Sequence, residues 1–233
     1  MASNSRFTIF YGDWLSRHEA FLEHLERLLS PEDGFDRNYE CCQIIPEFFS
    51  HYQQLYAERA RAAGGDVFLL FSPSWMSSFE RSLLWVSGFR PSMLFPIMER
   101  SVAEELTGEQ RERIEEVKLE TRRREREITQ AMARVQEMVA EPPVYGMMRR
   151  FGRLGDGEAT ELGDAIEGFK AAIAVVVENA DELRVWTAAE VVGILSPVQS
   201  VRFLAEAARS QLQARKWGIE KDREREVLAA RSS

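Results

Sequence analysis

Cysteine, histidine and long apolar runs are scarce in this chain. Its 233 residues include two cysteines and three histidines. Cys41 and Cys42 are adjacent and could hardly form an ordinary disulfide with each other, which fits a reducing compartment. Zinc would want spaced Cys and His ligands, and this cysteine pair has no second pair to complete a site. A carboxylate-bridged di-metal bundle needs Glu three residues before His on two helices. Leu15, Phe21 and Phe48 stand at that offset from His18, His24 and His51, so no metal site is expected. The longest apolar run, Ala171 to Val177, falls far short of the roughly 20 residues of a membrane span. Arg6, Asp13 and Arg17 interrupt the N-terminal stretch, and no secretory signal is expected there.

An excess of basic charge is missing too. With 30 Lys and Arg against 38 Asp and Glu, the net charge is −8. Non-specific nucleic-acid binding needs a cationic face to displace counterions, so direct DNA binding is not expected. Neither a nucleophile elbow nor a phosphate-binding glycine loop nor a dinucleotide fingerprint is present. Gly152, Gly155 and Gly157 have a glycine-loop spacing, but no strand precedes them, and the stretch reads as a linker. The expectation is a protein that is not an enzyme.

Helical signals fill the chain. Apolar content of 45% with 29% charged residues is ordinary for a globular protein. Phe7, Phe10, Trp14, Phe21, Leu25 and Leu28 recur at helical spacing and predict an amphipathic helix over residues 6–29. A second helix is predicted from Tyr39 to Ala63, kinked or divided at Pro46 and stopped by Gly64-Gly65. Shorter helices follow over Ser77 to Ser87 and Pro91 to Leu106. Thr107 and Gln110 form a capping box that opens a long helix to Ala140. Further helices are predicted from Glu158 to Val185, after Thr187, and from Ser196-Pro197 to about Trp217-Gly218. No strand-like alternation of useful length is seen. The fold class is therefore all-α, a single bundle of about seven to nine helices with one long central helix. It spans residues 7–222, with 223–233 as a charged tail.

Two stretches carry more information. Ser72 to Ser92 holds two of the five tryptophans, Trp75 and Trp85, between two proline-containing turns, with Glu80, Arg81 and Arg90 among them. Large indoles need burial and a partner for the ring N–H, so these two are core keystones or a recognition surface. The run Glu120 to Glu127 resembles the basic arm of a leucine-zipper factor. Yet Glu104 to Glu127 holds nine acidic against seven basic residues, and no leucine ladder follows. It reads as a solvated face laced with i,i+4 ion pairs.

In order, these pieces resemble a known family. They are Phe10 to Leu15, His51-Tyr52 with Tyr56, Ser72-Pro73 with Trp75, Glu80 with Trp85, and Gly88 with Arg90-Pro91-Ser92. Gln136-Glu137, Ala180-Asp181 with Leu183-Arg184, Ile194 to Gln199 and Trp217-Gly218 complete the set. The pattern is similar to the plant delay-of-germination, or seed dormancy control, domain, shared with the C-terminal domain of TGA-type leucine-zipper transcription factors. The resemblance implies a helical regulatory module in nucleus and cytoplasm that acts through partners. Dormancy-type members engage type 2C protein phosphatases of abscisic-acid signalling; TGA-type members work in transcription complexes. With only about six residues ahead of the first helix and Met1-Ala2 at its head, the chain is expected to be of the stand-alone, zipper-less group.

Residue by residue, the resemblance places the phosphatase contact on Tyr11, Asp13 and Trp14, with Gly12 where relatives carry a larger apolar residue. Whether Tyr11 and Trp14 are contact or core is left open by the sequence. Trp75, Glu80, Trp85, Gly88, Arg90, Pro91 and Trp217 are expected to be structural. Trp75 would sit in the turn entering a helix, Trp85 would pack on the long charged helix, and Glu80 would pair with Arg90. Some relatives bind haem through a His pair before the closing Trp-Gly, and Gln211 and Arg215 occupy those positions here. Neither is an axial ligand, so haem is not expected. An alternative function is a sensor whose core holds an apolar small molecule, with Met93, Met98, Met132, Met138, Met147 and Met148 as an adaptable lining. Homodimerisation is left open.

Overall fold

Phe7, Tyr11, Trp14, His18 and Leu25 fall on one face of a continuous helix, and all five are buried. This is α1, Ala2–Leu29, in a computed structural model that describes residues 2–30, 37–150 and 156–231. Helix α2, Arg37–Asp66, packs along it through Ile44, Phe48, His51 and Leu55. Pro46 neither divides nor ends α2, because its ring faces solvent while Ile44 and Phe48 hold both flanks in the core. Gly64-Gly65 lies inside the helix. The stop is Asp66, whose carboxylate accepts from the Phe68 N–H and caps a short 3-10 turn, Val67–Leu70.

The stretch from Ser77 to Ser87 departs most from the helical expectation. Helix α3 covers only Ser78–Ser82, capped by Ser77 and Glu80 in a reciprocal box. A two-stranded hairpin follows, β1 Leu84–Trp85 with β2 Gly88–Phe89, paired Leu84 to Phe89 and Trp85 to Gly88. Its two-residue loop puts Val86 at φ 46° and Ser87 at φ 60°, the positive-φ pair of a type I′ turn. Positive φ is costly for a β-branched residue, which is why local pattern does not predict the turn. Long-range bonds from Arg184 and Arg59 hold it there.

Pro91–Met93 forms a 3-10 turn, then α4 spans Leu94–Val102 and α5 Gly108–Ala140. The Thr107–Gln110 capping box is present in both directions. Helix α6 is Pro142–Arg149, α7 is Asp156–Ile194 and α8 is Pro197–Arg231. Of the expected linker, residues 152–155 lie outside the described residues, and Asp156-Gly157 already begins α7. The predicted break near Thr187 is absent. Thr187 is fully buried and its hydroxyl meets that of Thr121 on α5 at 3.3 Å, so it is an interhelical contact and not a cap. Helix α8 continues past Gly218, which is buried because a Cβ there would run into Ser77 and Phe79.

Among the described residues, then, eight α-helices form the all-α bundle the sequence predicts, with one small hairpin added. Helices α1, α2, α3 and α4 pack on α8, while α5 pairs with α7. The capping boxes of α5 and α8 interlock. Gln199 completes the Ser196 box, and Gln110 Nε2 donates to both Gln199 Oε1 (2.9 Å) and the Ile194 carbonyl (2.9 Å). Two helix starts are thereby fixed to the end of α7.

Two glycines test this packing. A Cβ on Gly88 would lie 2.6 Å from the Arg184 guanidinium carbon, whereas a Cβ on Gly12 meets open space. Gly88→Ala is expected to cost about 2 kcal/mol in urea unfolding, by overpacking. Gly12→Ala, in an exposed helix position, should stabilise by about 0.5–1 kcal/mol.

Candidate functional site

The start of α1 is an aromatic ladder. Trp14 is fully buried, and its indole N–H donates to the His51 carbonyl at 3.0 Å. Its ring stacks on His51 (4.5 Å, 4°) and on His18 (4.7 Å, 14°). Tyr11 stacks on Trp14 at 5.8 Å, with the Arg215 guanidinium 5.5 Å from its ring, and Phe7 meets Trp75 at 4.6 Å. Tyr11 and Trp14 are therefore core, and of the three residues expected at a partner contact only Asp13 is exposed. Ile9, 65% exposed, and the open space beside Gly12 share that outer surface.

Burial sets the titration of this cluster. Desolvation, then the nearby Glu80 carboxylate, pushes the Tyr11 hydroxyl up to about 12. His18 is lowered to about 3 by burial and by His51; His51 is lowered to about 4 by burial and by Arg17. Neither ring nitrogen of His18 nor Nε2 of His51 has a hydrogen-bond partner among the described residues. Both imidazoles are therefore neutral, apolar-packed rings.

The Ser72–Ser92 block is a set of latches. Trp75 is buried in the turn ahead of α3, as expected. The expected Glu80–Arg90 pair does not form. Glu80, 1% exposed, accepts from the Ser77 N–H (2.8 Å) and Ser77 hydroxyl (2.7 Å), and meets Arg215 of α8 at 3.3 Å. Arg90 instead faces Glu125 of α5 at 3.8 Å. The cause is directional: capping box geometry turns Glu80 back toward its own N-cap and α8, while the hairpin carries Arg90 toward α5. Trp85 does pack on the long helix, donating to the Thr129 hydroxyl at 3.0 Å, with Arg90 and Arg184 over its ring at 5.5 and 5.6 Å. Pro91 is buried at the start of its 3-10 turn. Trp217 is half exposed, edge-on to Phe79 at 4.6 Å. One turn on, Asp222 accepts from the Ser78 N–H (2.8 Å) and hydroxyl (2.5 Å).

Residues that spacing alone could not assign join these parts. Arg184 donates from Nε to the Phe89 carbonyl (2.7 Å), from Nη1 to Asp181 (2.5 Å) and from Nη2 to the Trp85 carbonyl (2.6 Å). Arg59 of α2 donates to Asp181 from Nε (3.1 Å) and to the Ser87 hydroxyl from Nη2 (2.9 Å). Asp181 and Arg184 stood in a recognised block without a role; Arg59 gave no signal, since its partner lies 122 positions away.

These latches close one end of an apolar cavity of about 240 Å³ between α2, the hairpin, α4, α7 and α8. Tyr52, Leu55, Ile97, Phe203 and Ala207 line its body; Arg59, Asp181 and Arg184 line its polar end. The Tyr56 hydroxyl there is pushed to about 12 by burial and by Asp181. Of the six methionines expected to soften such a pocket only Met93 lines it; Met98 is in the core, and Met138 and Met148 are surface residues. Gln211 accepts from the Tyr52 hydroxyl at 2.7 Å and Arg215 meets Glu80 at 3.3 Å, so both side chains are engaged in packing. Among the described residues no three His, Cys, Asp or Glu side chains cluster to hold a metal ion, and no helix is long and apolar enough to cross a membrane.

Long helices pinned by buried arginines around an apolar cavity define a helical-bundle domain. Residues 21–99 match the DOG1 family, described as seed dormancy control. Across nearly its whole length the chain is similar to the Arabidopsis thaliana protein RESPONSE TO ABA AND SALT 1, at 40% identity over 230 residues, 96% of this chain and 98% of that one. It is similar to Arabidopsis thaliana ZW2 at 38% over 223 residues, 94% and 98% of the two chains. The Nicotiana tabacum TGACG-sequence-specific DNA-binding protein TGA-1A is 29% identical over 200 residues, covering 85% of this chain and 53% of that one. The chain belongs to the DOG1 seed dormancy control family. Its relatives' names are regulatory and transcription-related, not enzymatic.

The two buried histidines predict acid sensitivity. Their folded-state values lie below the ordinary 6.5, so below pH 6.5 the unfolded chain binds more protons than the folded one. Stability is expected to fall as pH drops from 6.5 toward 4, by roughly 1 kcal/mol per pH unit for each histidine. Urea unfolding across that range should show the slope in the wild type and a shallower one in His18→Phe.

Proposed function

We propose that this protein is a non-enzymatic regulatory adaptor of a plant, of the abscisic-acid and salt response type, working in nucleus and cytoplasm through protein partners. The observation that carries the reading is the end-to-end likeness to RESPONSE TO ABA AND SALT 1. The partner is a type 2C protein phosphatase, or a transcription-complex protein in the manner of the TGA relatives. On this reading the long helix is a solvated face and not a DNA-binding arm, supported by the pairing of Arg123 with Glu120 and Glu127 and of Arg124 with Glu120.

The contact falls on the outer strip of α1. Asp13 and Ile9 present it, and Tyr11 and Trp14 position it from beneath through their anchors in the core. An interface of this kind depends on a few fixed side chains, and a helix nailed down by a buried Trp loses little entropy on docking. A second reading is favoured by one observation, the apolar cavity: the bundle also takes a small molecule in its core.

Surface changes test the contact without disturbing the core. Asp13→Arg is expected to reduce capture of a purified type 2C phosphatase by about tenfold, and Gly12→Leu, whose side chain enters open space, to increase it. Circular dichroism should show unchanged helix content in both. Equal capture by all three proteins would remove α1 from the contact.

A further inference from the structure

The polar end of the cavity is not neutral. Three cations line it, Arg59, Arg90 and Arg184, with Asp181 the one carboxylate. Arg90 is matched outside the cavity by Glu125, which leaves two arginines on Asp181. Both are buried, with side chains 7% and 8% exposed, and an uncompensated buried charge is costly. Arg184 spends all three nitrogens on Asp181 and the hairpin carbonyls. Arg59 uses Nε and Nη2, and its Nη1 has no hydrogen bond among the described residues.

We propose that the cavity binds a compact apolar monocarboxylate, its head group on Arg59 Nη1 and its body against Tyr52, Ile97 and Phe203. This rests on the cavity reading above and adds the charge of the ligand. An anion supplies what the cluster lacks, a second negative charge and an acceptor for the unused donor. Size follows from the volume. A cavity of 150 Å³ holds benzene, with six non-hydrogen atoms, so 240 Å³ takes an acid of about ten. The Tyr56 hydroxyl at the polar end does not compete as an anion, since burial and Asp181 push it up to about 12.

A matched pair of probes separates charge from shape. Phenylacetic acid and 2-phenylethanol differ mainly in the carboxylate, and calorimetric titration of the full chain at neutral pH gives both affinities. The acid is expected to bind about tenfold or more tightly than the alcohol, the worth of a charge-assisted bond. Arg59→Met should bring the two affinities together. Ala207→Phe, which fills the body of the cavity with an apolar ring, should abolish binding of both. Equal affinities in the wild type would overturn the charge assignment and leave the cavity reading standing. No binding of either probe, or binding unaltered by Ala207→Phe, would overturn both. A preference for acid that survives Arg59→Met would remove Arg59 from the role. The wild-type comparison requires no variant to fold.

Discussion

A single guanidinium holds the middle of this protein together. Arg184 is buried within α7, and a buried arginine must have its donors met, because leaving such a charge unpaired costs about 3–5 kcal/mol. Its demands shape the neighbourhood. Three carbonyls, those of Trp85, Val86 and Phe89, turn toward it, which requires a two-residue loop with both residues at positive φ. The strain at Val86, of order 1–3 kcal/mol, is offset by the bonds it permits. The guanidinium passes so near the backbone that position 88 has no room for a side chain. Trp85, lying over the same group, then reaches Thr129 on α5.

Asp181 extends the constraint to the other half of the bundle. Its second oxygen takes Arg59, so α2 and α7 share one carboxylate, and both arginines reach on to the hairpin. Helix α8 does the equivalent work at the far side. Arg215 bonds Glu80 and the Trp75 carbonyl, Asp222 caps α3, and Gln199 joins the α8 start to α5. Between these two ties the aromatic ladder of α1 is filled in mainly by packing. Trp14 has one strong hydrogen bond, and the rings around it contribute area and stacking.

What sequence could and could not disclose follows from this division. Features closed within four residues were legible: the amphipathic period of α1, the Thr107–Gln110 box, the Ser196 start of α8 with Pro197 behind it. A structural role for Trp75 and Trp85 came with the family resemblance, since their spacing alone left core keystone and recognition surface both open. Features decided by a distant partner were not. The hairpin replaces a predicted helix because Arg184, about a hundred residues away, takes its carbonyls. Glu80 takes Arg215 over Arg90 for a reason that exists only once α8 crosses α3. Thr187 looked like a helix end and is a buried hydroxyl pair with Thr121. Of the candidate contact on α1, the helix and its aromatic spacing could be read, but the side each residue faces became clear only when α2 and Trp75 were in place.

The strip on α1 and the cavity share a wall. Phe7 and Tyr11 line the cavity, and Tyr11 stacks on Trp14, one residue beyond exposed Asp13. Arg215, over the Tyr11 ring, is bonded to Glu80 and so to the entrance of α3. Coupling between a molecule in the core and a protein on the surface requires a group whose contacts differ between filled and empty states. Tyr11 touches the cavity on one side and Trp14 on the other, so any such coupling under the proposed function would run through it. A rigid core transmits such a displacement instead of absorbing it, since packed interiors deform little. On the proposed contact, the burial of Tyr11 and Trp14 places them behind the outer face of α1 and not on it.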